Sequence, residues 1–269
     1  RAFDKLVLTN GVDGPIKWTG TGNITALDVD SRFTTAQHVG YWDNRVWLGN
    51  TNANSDRLWY SDAGDPETWG STAFYNFGAP ITAVVAMQNA LSVHTEDAIF
   101  TLIPTGNSTI PYQIQQRTSS DPRNPQRGGT ISGRALVVLP GNIQVFPLED
   151  GIYMWAGGDT IDKVSYALEE GYWNNLVASR LPECFAIYWA TEDEVWFFLP
   201  YGTGQTKMNH VMVLSTKHLY QDASTGETRM AWYGPYINGT SFERDSAAII
   251  ANKPHAGGFD GIVYDHAPA

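Results

Sequence analysis

The chain has 269 residues, 42% of them hydrophobic and 13% aromatic, with ten Trp and thirteen Tyr. That is enough apolar volume for a sizeable core and too much for a disordered segment. Its 17 Lys and Arg against 28 Asp and Glu leave a net charge of −11, which argues against a whole-surface grip on nucleic acid, because phosphate binding needs clustered cations.

No apolar run reaches eighteen residues, so no membrane-spanning helix and no membrane partner are expected, and the chain reads as soluble. Residues 2–12 have neither the basic start nor the apolar core of a signal peptide, and a start at Arg1 suggests a processed or partial chain. Cys184 is the only cysteine, which excludes an intrachain disulfide. In the apolar run Cys184-Phe185-Ala186-Ile187 it reads as a buried, inert thiol. Three Asn-x-Ser/Thr triplets begin at Asn23, Asn107 and Asn238, a number that chance supplies in a chain of this composition.

Along the chain, short apolar or alternating runs recur between Gly, Asn, Asp and Pro clusters, the pattern of strands joined by tight turns. Two strands are predicted at the N-terminus, 5–9 and 16–19. A first group of four follows at 37–42, 45–50, 57–61 and 72–77, with Asp43-Asn44 as a two-residue hairpin turn, since both residues tolerate positive φ. A second group lies at 81–87, 90–94, 98–103 and 112–117, and a third at 134–139, 143–148, 151–155 and 160–164. One helix is predicted, a short decoration over 165–181 with Leu168, Tyr172, Leu176 and Leu181 on one face and Pro182 as its stop. The fourth group takes 185–190, 194–199, 210–216 and 230–233, and two last strands take 247–251 and 261–265.

Each group opens on a small or apolar strand, as strands crowding around a central axis require. The two leftover strands at each end together make one more blade. The sequence therefore predicts a single all-β domain over 1–269, a β-propeller of about five four-stranded blades. Its closing blade combines 1–20 with 245–269, so that few edges stay unpaired. A β-sandwich built from the same strands is the alternative that periodicity leaves open.

Few residues suggest chemistry. The predicted inner strands carry no Asp or Glu, whereas a five-bladed glycosidase needs an acid and a nucleophile or base converging on the axis. The loop carboxylates Asp28, Asp30 and Glu192 are the remaining candidates for such a role. The six histidines lack zinc-site spacing, and neither Asp28-Val29-Asp30 nor Glu192-Asp193-Glu194 has the ligand ladder of a calcium loop, so no metal and no cofactor are expected. Trp18, Trp47, Trp59, Trp155, Trp189 and Trp196 fall in predicted strands, where they either pack between blades or, in a carbohydrate-binding reading, offer stacking platforms. The run Ser61-Asp62-Ala63-Gly64-Asp65-Pro66-Glu67-Thr68-Trp69 is expected to be an Asp-supported turn whose Trp packs back on its blade. Finally, Arg117, Arg123, Arg127 and Arg134 put four of the seventeen cations within eighteen residues. The Pro- and Gly-containing stretch they flank is expected to be a long surface loop, either solvated or docking on an acidic neighbour.

Several of these segments resemble propeller-bearing structural proteins of tailed bacteriophages. They are Arg45-Val46-Trp47-Leu48-Gly49, the run from Leu58 to Trp69, the opening from Lys5 to Asp13 followed by Ile16-Lys17-Trp18, and Asp150-Gly151-Ile152-Tyr153. That family includes nozzle or tail-hub subunits, the packaged DNA stabilisation proteins that surround the DNA exit channel. The resemblance implies a non-enzymatic virion component, in the tail, whose partners are copies of itself and other phage structural proteins. DNA would pass nearby without specific binding. The run from Ser61 to Trp69 also resembles the Asp box of sialidase-like propellers, a turn device that speaks for fold and not for chemistry.

Overall fold

A computed structural model describes residues 4–117, 128–168, 171–221, 228–237 and 242–266. The chain forms two compact units, Arg1–Thr130 and Ile131–Ala269. Among the described residues each unit holds three antiparallel sheets whose strands follow one another in chain order.

In the first unit, β1 (Leu6–Leu8), β2 (Ile16–Trp18) and β3 (Thr25–Ala26) form a three-stranded sheet. Next come β4 (Ala36–Trp42), β5 (Arg45–Thr51), β6 (Arg57–Tyr60) and β7 (Phe74–Asn76), then β8 (Ile81–Ala86), β9 (Leu91–Thr95), β10 (Ile99–Pro104) and β11 (Tyr112–Gln116). The second unit has β12 (Val137–Leu139), β13 (Ile143–Leu148), β14 (Gly151–Trp155) and β15 (Asp162–Lys163). These are followed by β16 (Phe185–Trp189), β17 (Glu194–Leu199), β18 (His210–Gln221) and β19 (Thr228–Tyr236), and finally by β20 (Arg244–Ile250), β21 (Lys253–Gly258) and β22 (Val263–Asp265).

These up-and-down meanders are the blades of a β-propeller, and there are six of them, not five. The expected closing blade is corrected. β1 and β3 pair with β2, and β20 and β22 pair with β21, so the two ends build two separate three-stranded sheets. The miscount has a local cause. β21 reads Lys-Pro-His-Ala-Gly-Gly, where Pro254 and two glycines signal a loop, yet its backbone pairs along its whole length with β20.

The helix expected over 165–181 is also corrected. Among the described residues this stretch holds 3-10 turns at Tyr166–Leu168, Trp173–Asn175 and Ala178–Glu183. The Asn175 side chain donates to the Gly171 carbonyl, and the backbone at Leu176 pairs with Tyr201, two residues past the end of β17, an extended contact that helical geometry forbids. Leu168, Trp173 and Leu181 are thus buried from separate turns rather than from one face.

Sheets buried on both sides explain the continuous apolar runs. In β5, Val46 and Leu48 join Val7, Phe33, Trp59 and Trp69 in one cluster, while the intervening Trp47 joins Leu58, Ile81, Leu91 and Tyr112 in another. The alternation of successive side chains across a strand does this sorting. Where β4 and β8 lie side by side, a Cβ on Gly40 would sit 2.9 Å from Cγ1 of Val84, so the crowding of first strands selects a residue without a side chain. Asp43 and Asn44 have φ of 49° and 56° between the paired Trp42 and Arg45, the two-residue hairpin turn with both central residues left-handed.

Candidate functional site

Several of the carboxylates singled out in the sequence are engaged by turns or ion pairs. Asp65 accepts from the backbone N–H of Glu67 (2.9 Å) and from the Thr68 hydroxyl (2.8 Å), bonds that hold its carboxyl below the usual carboxylate range. Asp62 donates its backbone N–H to the Thr68 carbonyl at 2.7 Å and pairs with Asp65 across the turn. Glu67, at the tip, takes Lys5 (3.0 Å) and Lys17, so this run ties the first sheet to the second. Trp69 closes it, buried, with its indole N–H on the Asp28 carbonyl at 3.0 Å. Asp28 in turn accepts from the Asp30 backbone (2.9 Å), Asp30 pairs with Arg32 (2.6 Å), and Glu192 pairs with Lys217 (3.3 Å). Among the described residues no three His, Cys, Asp or Glu side chains converge as metal ligands would.

The tryptophans divide in the same way. Trp47, Trp59, Trp155, Trp189 and Trp196 are buried, leaving no open ring face for a sugar, and Trp18 alone of the six is exposed. Cys184 is fully buried, and burial pushes its thiol up to about 12, so it carries no thiolate at neutral pH.

Of the four arginines, Arg117 lies in the first unit, where its Nε donates to Thr101 Oγ1 at 3.1 Å and its Nη2 donates to the Gln115 side chain. Arg134 lies in the second unit, over the Phe185 ring (5.2 Å) and donating to the Asp245 carbonyl, so it pins β16 and β20. Arg123 and Arg127 fall outside the described residues. The described residues on either side of 118–127 are anchored on one hairpin. The Arg117 N–H donates to the Ile99 carbonyl (2.7 Å) and the Gly128 N–H to the Asp97 carbonyl (2.8 Å).

What the sequence did not single out is the surface of the two end sheets. Leu6 and Leu8 are exposed on either side of the buried Val7, and Leu6 stands opposite the exposed Trp18. That sheet therefore has an apolar outer face as well as an apolar inner one, where a sheet facing water on one side alternates to polar. At the other end Ile249, Ile250, Ile262 and Val263 are exposed, Val263 at 61% on the three-residue edge strand β22. Only burial distinguishes these residues from the core apolars, and burial is not written in the strand pattern.

No protein-family model matches the chain. No curated protein matches it either. Solved structures do, at low identity. The extracellular domain of BT4673 from B. thetaiotaomicron aligns with 98% of the chain at a TM-score of 0.60 and 10% identity, and the chain spans 30% of that protein's length. The β-propeller domain of Myceliophteria thermophila Cps50 (Swd1) aligns with 96% of the chain and 77% of its own length, at a TM-score of 0.57 and 9% identity. A candidate 6-phosphogluconolactonase from Bacteroides uniformis aligns with 97% of the chain and 80% of its own length, at a TM-score of 0.56 and 10% identity. At these identities the likeness establishes the propeller fold and nothing about chemistry.

Proposed function

We propose that this propeller works by assembly and is a non-enzymatic structural subunit of a phage tail, in contact with copies of itself and with neighbouring virion proteins. The observation that carries the reading is the exposed apolar face of the N-terminal sheet, Leu6, Leu8 and Trp18; in the second unit Ile249, Ile250 and Val263 of the C-terminal sheet, and Ile262 just before β22, are exposed as well. Grouped apolar side chains on a folded surface mark contact sites, whereas singly scattered ones need no explanation. The tail assignment rests on the resemblance of the segments around Arg45–Gly49 and Leu58–Trp69 to phage propellers. The carboxylates of Asp28, Asp30 and Asp65 are engaged in bonds within their own turns and Glu192 pairs with Lys217, which supports a non-enzymatic reading.

The test is the assembly state of the purified protein, by sedimentation and electron microscopy, compared with Leu6→Glu/Leu8→Glu. Both positions are exposed, so the double variant should keep its melting temperature within the effect of about 0.5 kcal/mol usual for surface changes while losing higher assemblies. A monomer at every concentration, or turnover of a glycoside that vanishes in Asp28→Asn or Asp30→Asn, would refute the reading.

A further inference from the structure

The last strand of the C-terminal sheet is held at its end by His266. The backbone N–H of His266 donates to the Pro254 carbonyl at 2.9 Å. Its ring lies among Phe242 (5.5 Å between centroids), Trp196 and Phe198 (6.4 Å each), and its Nε2 accepts from Nε of Arg244 at 3.3 Å.

Arg244 is only 2% exposed. Its guanidinium lies over Tyr264 (3.9 Å) and Phe242 (4.3 Å), and Nη1 donates to the Glu243 carbonyl at 3.1 Å. An arginine Nε–H can only donate, so Nε2 of His266 must carry its lone pair and the ring must be neutral. A second proton on that ring would replace an acceptor by a cation facing a buried cation.

We propose that the Arg244–His266 pair is an acid-released latch: protonation of His266 breaks the bond and frees the end of β22 and its pairing with β21, uncovering the Trp196, Phe198 and Phe242 rings. The charged groups around the ring come from every neighbouring element. β20 supplies Arg244, β21 supplies His255, and Lys253, also in β21, stands 3.9 Å from Asp265. The turn before β22 supplies Asp260, which is occupied by the Tyr264 hydroxyl. The segment before β20 supplies Glu243, paired with Lys207 at 2.7 Å. β17 supplies Glu194, which accepts from the Trp196 indole at 3.0 Å.

Burial, Arg244 and His255 oppose protonation more than Asp265 favours it, and they hold His266 down at about 4. With the folded value depressed below 6.5, the latch is intact above pH 6.5 and weakens as pH falls toward 4. The loss is local because the bond fastens one short edge strand and not the core.

The experiment follows the His266 ring by NMR and hydrogen exchange over 253–266, corrected for the intrinsic rate, between pH 7 and 4. The stretch 143–155 serves as reference. His266→Gln keeps an acceptor for Arg244 at every pH and takes up no proton, and His255→Gln is the control for the neighbouring imidazole. In the wild type, exchange in 253–266 should rise about tenfold or more relative to 143–155 as the ring titrates, since linkage supplies up to about tenfold per pH unit in this window. His266→Gln should be flat and His255→Gln should behave like wild type. The proposal is overturned if His266→Gln keeps the wild-type pH dependence. It is equally overturned if the wild-type ring titrates without any change in exchange, a result independent of how the variant folds.

Discussion

Gly129 offers the sharpest structural test, because the space beside it is filled by backbone. A Cβ built there falls 1.6 Å from the Thr95 carbonyl oxygen, 2.7 Å from its carbon and 3.0 Å from the Ala98 oxygen. Moving the Cβ out to 3.0 Å from that oxygen, the least that real contacts show, takes about 1.4 Å (3.0 minus 1.6) of backbone displacement. Neither partner yields cheaply. Thr95 and Ala98 close the β9–β10 hairpin through the Thr95 N–H to the Ala98 carbonyl (2.9 Å) and the Ala98 N–H to Thr95 Oγ1 (3.0 Å). On the other side Gly128 is bonded to Asp97 and Thr130 is fully buried. Gly129→Ala must therefore break the Gly128 anchor or distort the hairpin, at a cost of about 3 kcal/mol. For a chain of this size that is roughly 6–12 °C in melting temperature. Gly158→Ala is the control, since nothing lies within 4 Å of its added Cβ. Thermal and urea unfolding followed by circular dichroism read both. A Gly129→Ala protein within about 0.5 kcal/mol of wild type would mean that residues 128–130 do not pack on the hairpin as described.

Three further outcomes are expected. Tyr112→Phe removes the 2.6 Å bond from its hydroxyl to Asp43, a link between β11 and the β4–β5 turn, and should cost about 1 kcal/mol in urea unfolding, with Asp43→Asn close behind. His38 is held down at about 4, chiefly by burial, so the stability it protects is complete above pH 6.5 and is lost as pH falls toward 4. His38→Gln should flatten the pH dependence of the melting temperature in that window by about 1 kcal/mol at pH 4.5, a figure reduced from full linkage because the ring is only partly shielded. An unchanged slope would assign the acid sensitivity elsewhere. Last, Arg123→Glu with Arg127→Glu should impair assembly at low and physiological salt while the melting temperature stays nearly constant; sedimentation that matches wild type would remove these two arginines from any docking role.

How far the sequence carries the argument depends on whether a signal is local. Asp43-Asn44 is legible because two left-handed residues between apolar strands have one common use, and β5 is legible because Val46, Trp47 and Leu48 form a run that only a doubly covered sheet can bury. β3 and β21 are not legible: one is two residues long, and the other hides a full-length pairing behind Pro254, Gly257 and Gly258. Missing those two strands is what turned six blades into five. The helix expected over 165–181 failed for a related reason, since Leu168 and Leu181 reach one core from separate 3-10 turns and Leu176 is only partly buried.

The surface features are harder still. Arg244 sits between Glu243 and Asp245, a run that reads as a solvated charge cluster, yet it is buried because Tyr264 and His266, twenty residues on, bring a ring face and a lone pair to it. Leu6 and Val7 are alike in sequence terms, and only the covering of one face of their sheet separates the buried residue from the exposed one. Fold follows from repetition, which one chain displays many times over. On the assembly reading proposed above, function resides in apolar side chains that the chain itself leaves uncovered, such as Leu6 and Leu8. Periodicity would not label such residues, because the surface proposed to cover them is not part of their own sheet. A change confined to Leu6 and Leu8 therefore tests assembly apart from folding more cleanly than any change in the core.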